Sequence, residues 1–222
     1  MTEKTMINRT LHREIDELKK MILAQGALVE DRLRKACMVI ESQEEQLTAE
    51  IIRSDWEVDE LEMRIEEECL KVLALHQPVA GDLRLLVAII KINNELERIA
   101  DIAVNIAKRV QTINKDSTLS FRIDYSSMSA KVLAMLKMSL DALVSEEAVL
   151  ARRVFLDDDE VDELRDKAYK AVVNELNIDM GHAACLLNMY LLARHLERIA
   201  DRTTNIAEEV IYLVEGEIVR SE

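Results

Sequence analysis

The sequence predicts an all-α protein built as two pseudo-symmetric, antiparallel three-helix bundles. Three observations carry that expectation. The 222 residues include one Pro, four Gly and 3% aromatics, too few turn and sheet formers for a β protein but well suited to long helices. Apolar residues recur at helical spacing along the chain. The third observation is an internal duplication. Leu96-Glu-Arg-Ile-Ala-Asp101-Ile-Ala-Val-Asn105-Ile-Ala107 returns 100 residues later as Leu196-Glu-Arg-Ile-Ala-Asp201-Arg-Thr-Thr-Asn205-Ile-Ala207, with nine of twelve positions identical. Upstream, Asp55-Trp-Glu-Val-Asp59-Glu-Leu61 returns 103 residues later as Asp158-Asp-Glu-Val-Asp162-Glu-Leu164. Two blocks in the same order at nearly the same spacing mean two copies of one unit.

The elements follow in order. Leu11, Ile15, Leu18, Ile22, Leu33, Met38 and Ile40 mark a first helix by their spacing. Ser42-Gln-Glu-Glu45 has the pattern of a capping box and is expected to start a second helix. Pro78 lacks a backbone donor and biases Gln77 away from helical geometry, so that helix should end there, with Gly81 following. A third helix is expected from about Val79 to Ile113, and the polar breaker Asn114-Lys-Asp-Ser-Thr118 divides the chain into units 1–114 and 115–222. In the second unit Ser145 stands where Ser42 stood and should cap the fifth helix. Asn177-Ile-Asp-Met-Gly181 supplies the next turn, and the sixth helix should run to about Gly216.

Charge narrows the function. With 29 basic and 43 acidic residues the net charge is −14, which argues against a nucleic-acid binder and against docking on anionic lipid. No apolar run approaches a membrane span and the start lacks a signal-peptide stretch, so the expectation is a cytoplasmic chain without direct membrane insertion. Cys37, Cys69 and Cys185 show no CxxC spacing and are expected to be small buried hydrophobes.

The chemistry lies in paired acids. Asp55 with Asp59, Glu97 with Asp101, Asp158 with Asp162 and Glu197 with Asp201 are each four residues apart, so each pair shares a helix face. The pairs also meet across each hairpin. Asp59 and Glu97 have their midpoint at residue 78, as do Asp55 and Asp101, and residue 78 is the proline. In the second unit Asp162 with Glu197, and Asp158 with Asp201, have theirs between residues 179 and 180, beside Gly181. Each unit should therefore gather four carboxylates, which repel unless protons or a cation compensate. Hard or borderline cations such as Fe, Mn, Zn, Mg or Ca take such oxygen donors; the expected cofactor is a divalent or trivalent ion, Fe or Zn foremost. The bland alternative is a solvated acidic face. There is no Glu-x-x-His pattern of the usual di-iron bundle.

Other residues suggest less. Asn105, Asn205 and Glu62 are secondary candidates as metal ligands, and Asp82 and Arg84 are a weak candidate contact point for a partner. Trp56 is expected in a contact between helices or with a partner, Arg98 and Arg198 in structural salt bridges, and His195 on the surface or among satisfied contacts. No catalytic residue is proposed, since no phosphate loop, nucleophile elbow or Cys/His pairing is present.

The duplicated acid pairs, the LERIAD-xxx-NIA motifs, Pro78 with Asp82-Leu-Arg84, and Tyr212-Leu-Val-Glu-Gly216-Glu resemble the PhoU family over nearly the whole chain. That resemblance implies metal clusters on Asp55, Asp59, Glu97 and Asp101, and on Asp158, Asp162, Glu197 and Asp201. It also implies a cytoplasmic, commonly dimeric, non-enzymatic negative regulator of phosphate-starvation signalling. Its expected partners are the ATPase subunit of the phosphate ABC transporter and a phosphate-sensing histidine kinase. Two departures stand out: Arg165 occupies the position equivalent to Glu62, and Thr203 and Thr204 replace Ala103 and Val104. The second site should bind metal more weakly. The alternatives are a metal-dependent phosphoesterase and a metal-binding helical scaffold in another phosphate pathway.

Overall fold

The computed structural model describes residues 3–54, 56–115 and 119–220, with side chains from residue 10 onward. Seven α-helices account for most of it: α1 (Glu3–Ser42), α2 (Glu45–Arg53), α3 (Trp56–His76), α4 (Gly81–Ile113), α5 (Ser126–Ser145), α6 (Ala148–Ile178) and α7 (Ala183–Glu215), with a 3-10 turn at Met180–His182. Among the described residues there is no strand. The first bundle is α1, α2–α3 and α4, and the second is α5, α6 and α7.

The predicted stripes form the core. Leu96, Ile99, Ile106 and Ala107 of α4 and Leu196, Ile199, Ile206 and Ala207 of α7 are fully buried. Cys37, Cys69 and Cys185 are buried and form no disulfide among the described residues, as expected of small hydrophobes. The bundles are joined by α4 packing along α7 and by α1 packing on α5. Lys91 Nζ meets Glu209 at 2.8 Å, Arg202 meets Glu95 at 3.3 Å, and Arg109 donates to Asn188 at 2.9 Å. Residue numbers fall along α7 as they rise along α4, so the two helices run antiparallel, as a pseudo-two-fold perpendicular to them would place them.

Several local expectations are corrected. The second helix is interrupted in the first repeat and continuous, as α6, in the second. Ser54 Oγ donates back to the Ile51 carbonyl at 3.2 Å, and the buried guanidinium of Arg32 donates to the Ser54 carbonyl and lies 3.5 Å from its hydroxyl. An uninterrupted helix would give that carbonyl to the N–H four residues on. A cation at the end of α2 stabilises the break. The residue equivalent to Arg32 by the 103-residue offset is Met135, apolar and buried, and no such break forms there.

The serines do not cap as expected either. Ser42 and Ser145 are the last residues of α1 and α5, not the caps of the helices that follow. Ser145 donates to the Asp141 carbonyl at 2.9 Å, and α6 starts after Glu147 without a side-chain cap. The chain reverses instead through left-handed backbone at Gln43 and Glu146, with φ of 56° and 53°. Around Pro78, Gln77 and Ala80 also take positive φ, which delays α4 to Gly81. At the far end Gly216, with φ of 76°, closes α7 by donating to the Tyr212 carbonyl at 2.9 Å.

Candidate metal centre

The hairpin register brings the first-repeat acids together. Asp59 on α3 and Glu97 and Asp101 on α4 each offer an oxygen, and these atoms all lie within 4.8 Å of one another. That separation lets one cation at about 2.0–2.6 Å from each oxygen bridge the three. Among the described residues it is the one group of acids so arranged. Asp55 lies outside the described residues. Asp59 and Asp101 face solvent while Glu97 is half-buried.

The electrostatics of this group point to a missing positive charge. Burial, then Asp101, Asp59 and Glu62, raise the Glu97 pKa from an ordinary 4.5 to about 7, with Arg98 opposing weakly. Among the described residues no Lys, Arg or His forms an ion pair with Asp59, Glu97 or Asp101. A bound cation would supply the compensation. The oxygen-only donor set fits Fe, Zn, Mn, Mg or Ca.

In the second repeat burial, then Asp201, also raise Glu197, but Arg194 and Arg165 oppose them. Glu197 is only 5% exposed, deeper than a residue flanking the core stripe was expected to be. Arg165 donates to its Oε1 at 3.0 Å and also sits 3.5 Å from Asp162, while Arg194 donates to the same Glu197 oxygen. Asp158 remains unanswered by a base: burial and then Asp201 raise its pKa from 3.8 to about 6. Burial raises Asp201 as well, against the pull of Arg194. The four acids are thus near one another, but two guanidinium groups hold Glu197, where the first repeat leaves Glu97 without a cation. Arg165 was visible as a departure between the repeats. Arg194 was not singled out, although the offset of 100 sets it against Asn94.

The remaining candidates are spread out. Glu62, its pKa raised by burial and by Glu66, lines a cavity between the repeats together with Asn205, so Asn205 looks toward the other repeat. Asn105 is half-buried one turn beyond Asp101. Arg84 packs against Gly216 at the end of α7, about 3.9 Å from where a side-chain carbon there would stand, beside the negative end of that helix. Trp56 is 60% exposed and so does not join helices of this chain. Arg98 and Arg198 form no ion pair among the described residues; Arg165, Arg194 and Arg202 do. His195 is 8% exposed with neither ring nitrogen hydrogen-bonded, contrary to the expected surface or satisfied placement.

A family model described as the PhoU domain matches residues 22–110 and again 125–210. The chain belongs to the PhoU family. Each matched PhoU segment contains one set of acid motifs. The chain is 35% identical to a phosphate-specific transport system accessory protein PhoU homolog of Aquifex aeolicus, over 95% of both chains. It is 33% identical to the protein of that description from Clostridium acetobutylicum, covering 96% of this chain and 98% of that one. The crystal structure of PhoU from Pseudomonas aeruginosa superposes with a TM-score of 0.89 at 33% identity, covering 93% of this chain and 99% of that one. That of the phosphate transport system regulatory protein PhoU from Streptococcus pneumoniae gives 0.88 at 28%, covering 95% and 100%. Among the described residues no helix is long and apolar enough to cross a membrane.

Proposed function

We propose that this chain is a cytoplasmic, non-enzymatic negative regulator of phosphate uptake and phosphate-starvation signalling. It acts by linking the ATPase subunit of the phosphate ABC transporter to a phosphate-sensing histidine kinase, as a homodimer. The observation that carries this reading is the family match through both repeats, with relatives named as accessory proteins of phosphate-specific transport. The net charge of −14 and the absence of a membrane-spanning helix among the described residues agree with a regulator that meets its membrane partners from solution.

The metal enters as part of the same proposal. Asp59, Glu97 and Asp101, with Asp55 beside them in sequence, hold a divalent or trivalent ion, Fe or Zn foremost. The ion ties α3 to α4 and compensates the raised Glu97. Asp158, Asp162, Glu197 and Asp201 form the weaker site, because a metal there must compete with Arg165 and Arg194 for Glu197. Support for a structural and regulatory ion comes from the ligand set itself. Glu62, coupled to Asp59 and Glu97, stands next to it as a further oxygen donor.

The test is a phosphate-starvation reporter in phosphate-rich medium, in a strain lacking this chain. High output restored to low by the wild-type chain is the expected result. Unchanged output on deletion would overturn the regulatory assignment.

A further inference from the structure

The outer face of α3 carries an apolar ridge that the described residues leave uncovered. Trp56, Met63 and Leu70 are 60%, 55% and 53% exposed. They stand seven residues apart, so they fall in one line about 21 Å long. Val58, Ile65 and Val72 on the opposite face are fully buried and hold the helix in the bundle.

Acids border this line on both sides. Glu60 and Glu67 follow Trp56 and Met63 by four residues, Asp59 and Glu66 follow them by three, and all four are exposed. Among the described residues none of these acids forms an ion pair. Arg64 and Lys71 lie one turn beyond Glu60 and Glu67, and Lys71 is held by Glu68 at 2.8 Å.

The duplication shows that the fold does not require this ridge. By the 103-residue offset Trp56 becomes Asp159 and Met63 becomes Asp166, both exposed. The buried Val58 and Ile65 become Val161 and Ala168, which are buried too. The inward face is kept in both repeats, while these outward positions are apolar in the first and acidic in the second. Large apolar side chains exposed in a line, with charges rimming them, mark an interaction surface.

We propose that this ridge docks an amphipathic helix of a partner protein that carries Lys or Arg on both flanks of its apolar seam. The line supplies anchors at the seven-residue spacing of such a seam, and the acid rows answer its bases. A second copy of this chain fits less well. Packed ridge on ridge, parallel or antiparallel, two copies would set these acid rows against each other. An anionic lipid surface is repelled for the same reason. The inference does not rest on the phosphate-regulatory reading.

Trp56 is the one tryptophan of the chain, so its emission reports on the ridge directly. The test titrates the full chain with a three-heptad peptide that has Leu at a and d, Lys at e and g, and no aromatic residue. The expected result is a blue shift that saturates near one peptide per chain. Met63→Ser/Leu70→Ser is expected to weaken binding at least about tenfold, and Glu60→Gln/Glu67→Gln to weaken it and flatten its dependence on salt. Val149→Ser/Leu156→Ser, at exposed apolar residues of α6, is expected to leave it unchanged. Equal weakening by the α3 and α6 serine substitutions would overturn the proposal, as would equal binding of the peptide with Glu in place of Lys. So would a free chain whose Trp56 is already shielded in a dimer that Met63→Ser/Leu70→Ser splits.

Discussion

Arg165 and Glu197 stand 3.0 Å apart across the second hairpin, at the positions where the first repeat has Glu62 and Glu97. Arg165, with Arg194, thus answers Glu197 with guanidinium groups, whereas Glu97, raised to about 7 by burial first and then by Asp101, Asp59 and Glu62, has no ion-paired base among the described residues. The asymmetry is also geometric, since Asp158, Asp162, Glu197 and Asp201 offer no three oxygens within 4.8 Å of one another.

Exchanging the cations should therefore exchange the sites. Arg165→Glu with Arg194→Asn restores in the second repeat the residues of the first. The metal content of the purified chain, counted by mass spectrometry, is expected to rise. Unchanged content would show that the arginines do not control occupancy.

Glu97 gives the metal-free chain a defined pH dependence. Its folded pKa lies near 7 and its ordinary value near 4.5, so between those values the folded state binds more protons than the unfolded one. Stability from this group is therefore present at low pH and is lost as pH rises through about 4.5–7. In chelator, Glu97→Gln is expected to flatten that part of the profile and to melt higher than wild type at pH 8. Equal slopes for the two proteins would refute it.

His195 has the opposite sign. Burial, then Arg109 and Arg198, depress its pKa from 6.5 to about 4, so the folded chain holds it neutral. Stability is expected to fall as pH drops from about 6.5 toward 4, and His195→Leu should remove that loss. The substitution also deletes two unsatisfied nitrogens, so a gain in melting temperature at pH 7 is expected. Marked destabilisation at pH 7 would point to a polar role for the imidazole.

Core and site separate cleanly in a fourth comparison. Leu196 is fully buried beside Glu197, and Leu196→Ala is expected to cost about 2–5 kcal/mol in chemical denaturation without altering first-repeat metal binding. Asp59→Asn should do the reverse. Loss of first-repeat metal in Leu196→Ala would show that the two repeats act as one unit in ligand binding.

Much of this was legible in the sequence because a period of 3.6 fixes which side chains share a face and a proline fixes where a hairpin turns. Those two facts bring Asp59, Glu97 and Asp101 together from the sequence alone. The break at Ser54 was hidden, since it depends on Arg32 reaching from another helix to take a backbone carbonyl. Ser42 and Ser145 misled for a related reason: left-handed backbone at Gln43 and Glu146 closes the preceding helices and leaves the serines inside them. The burial of His195 was hidden too, because it arises from α4 packing along α7, which no single-helix pattern records.

The most direct measurement is reporter output in phosphate-rich medium, in the deletion strain complemented with acid-motif variants. Asp59→Asn/Asp101→Asn is expected to leave the reporter high while accumulating to wild-type levels, whereas Asp158→Asn/Asp201→Asn keeps most of the restraint. Full restraint by the first variant would contradict a regulatory role for the first-repeat metal centre.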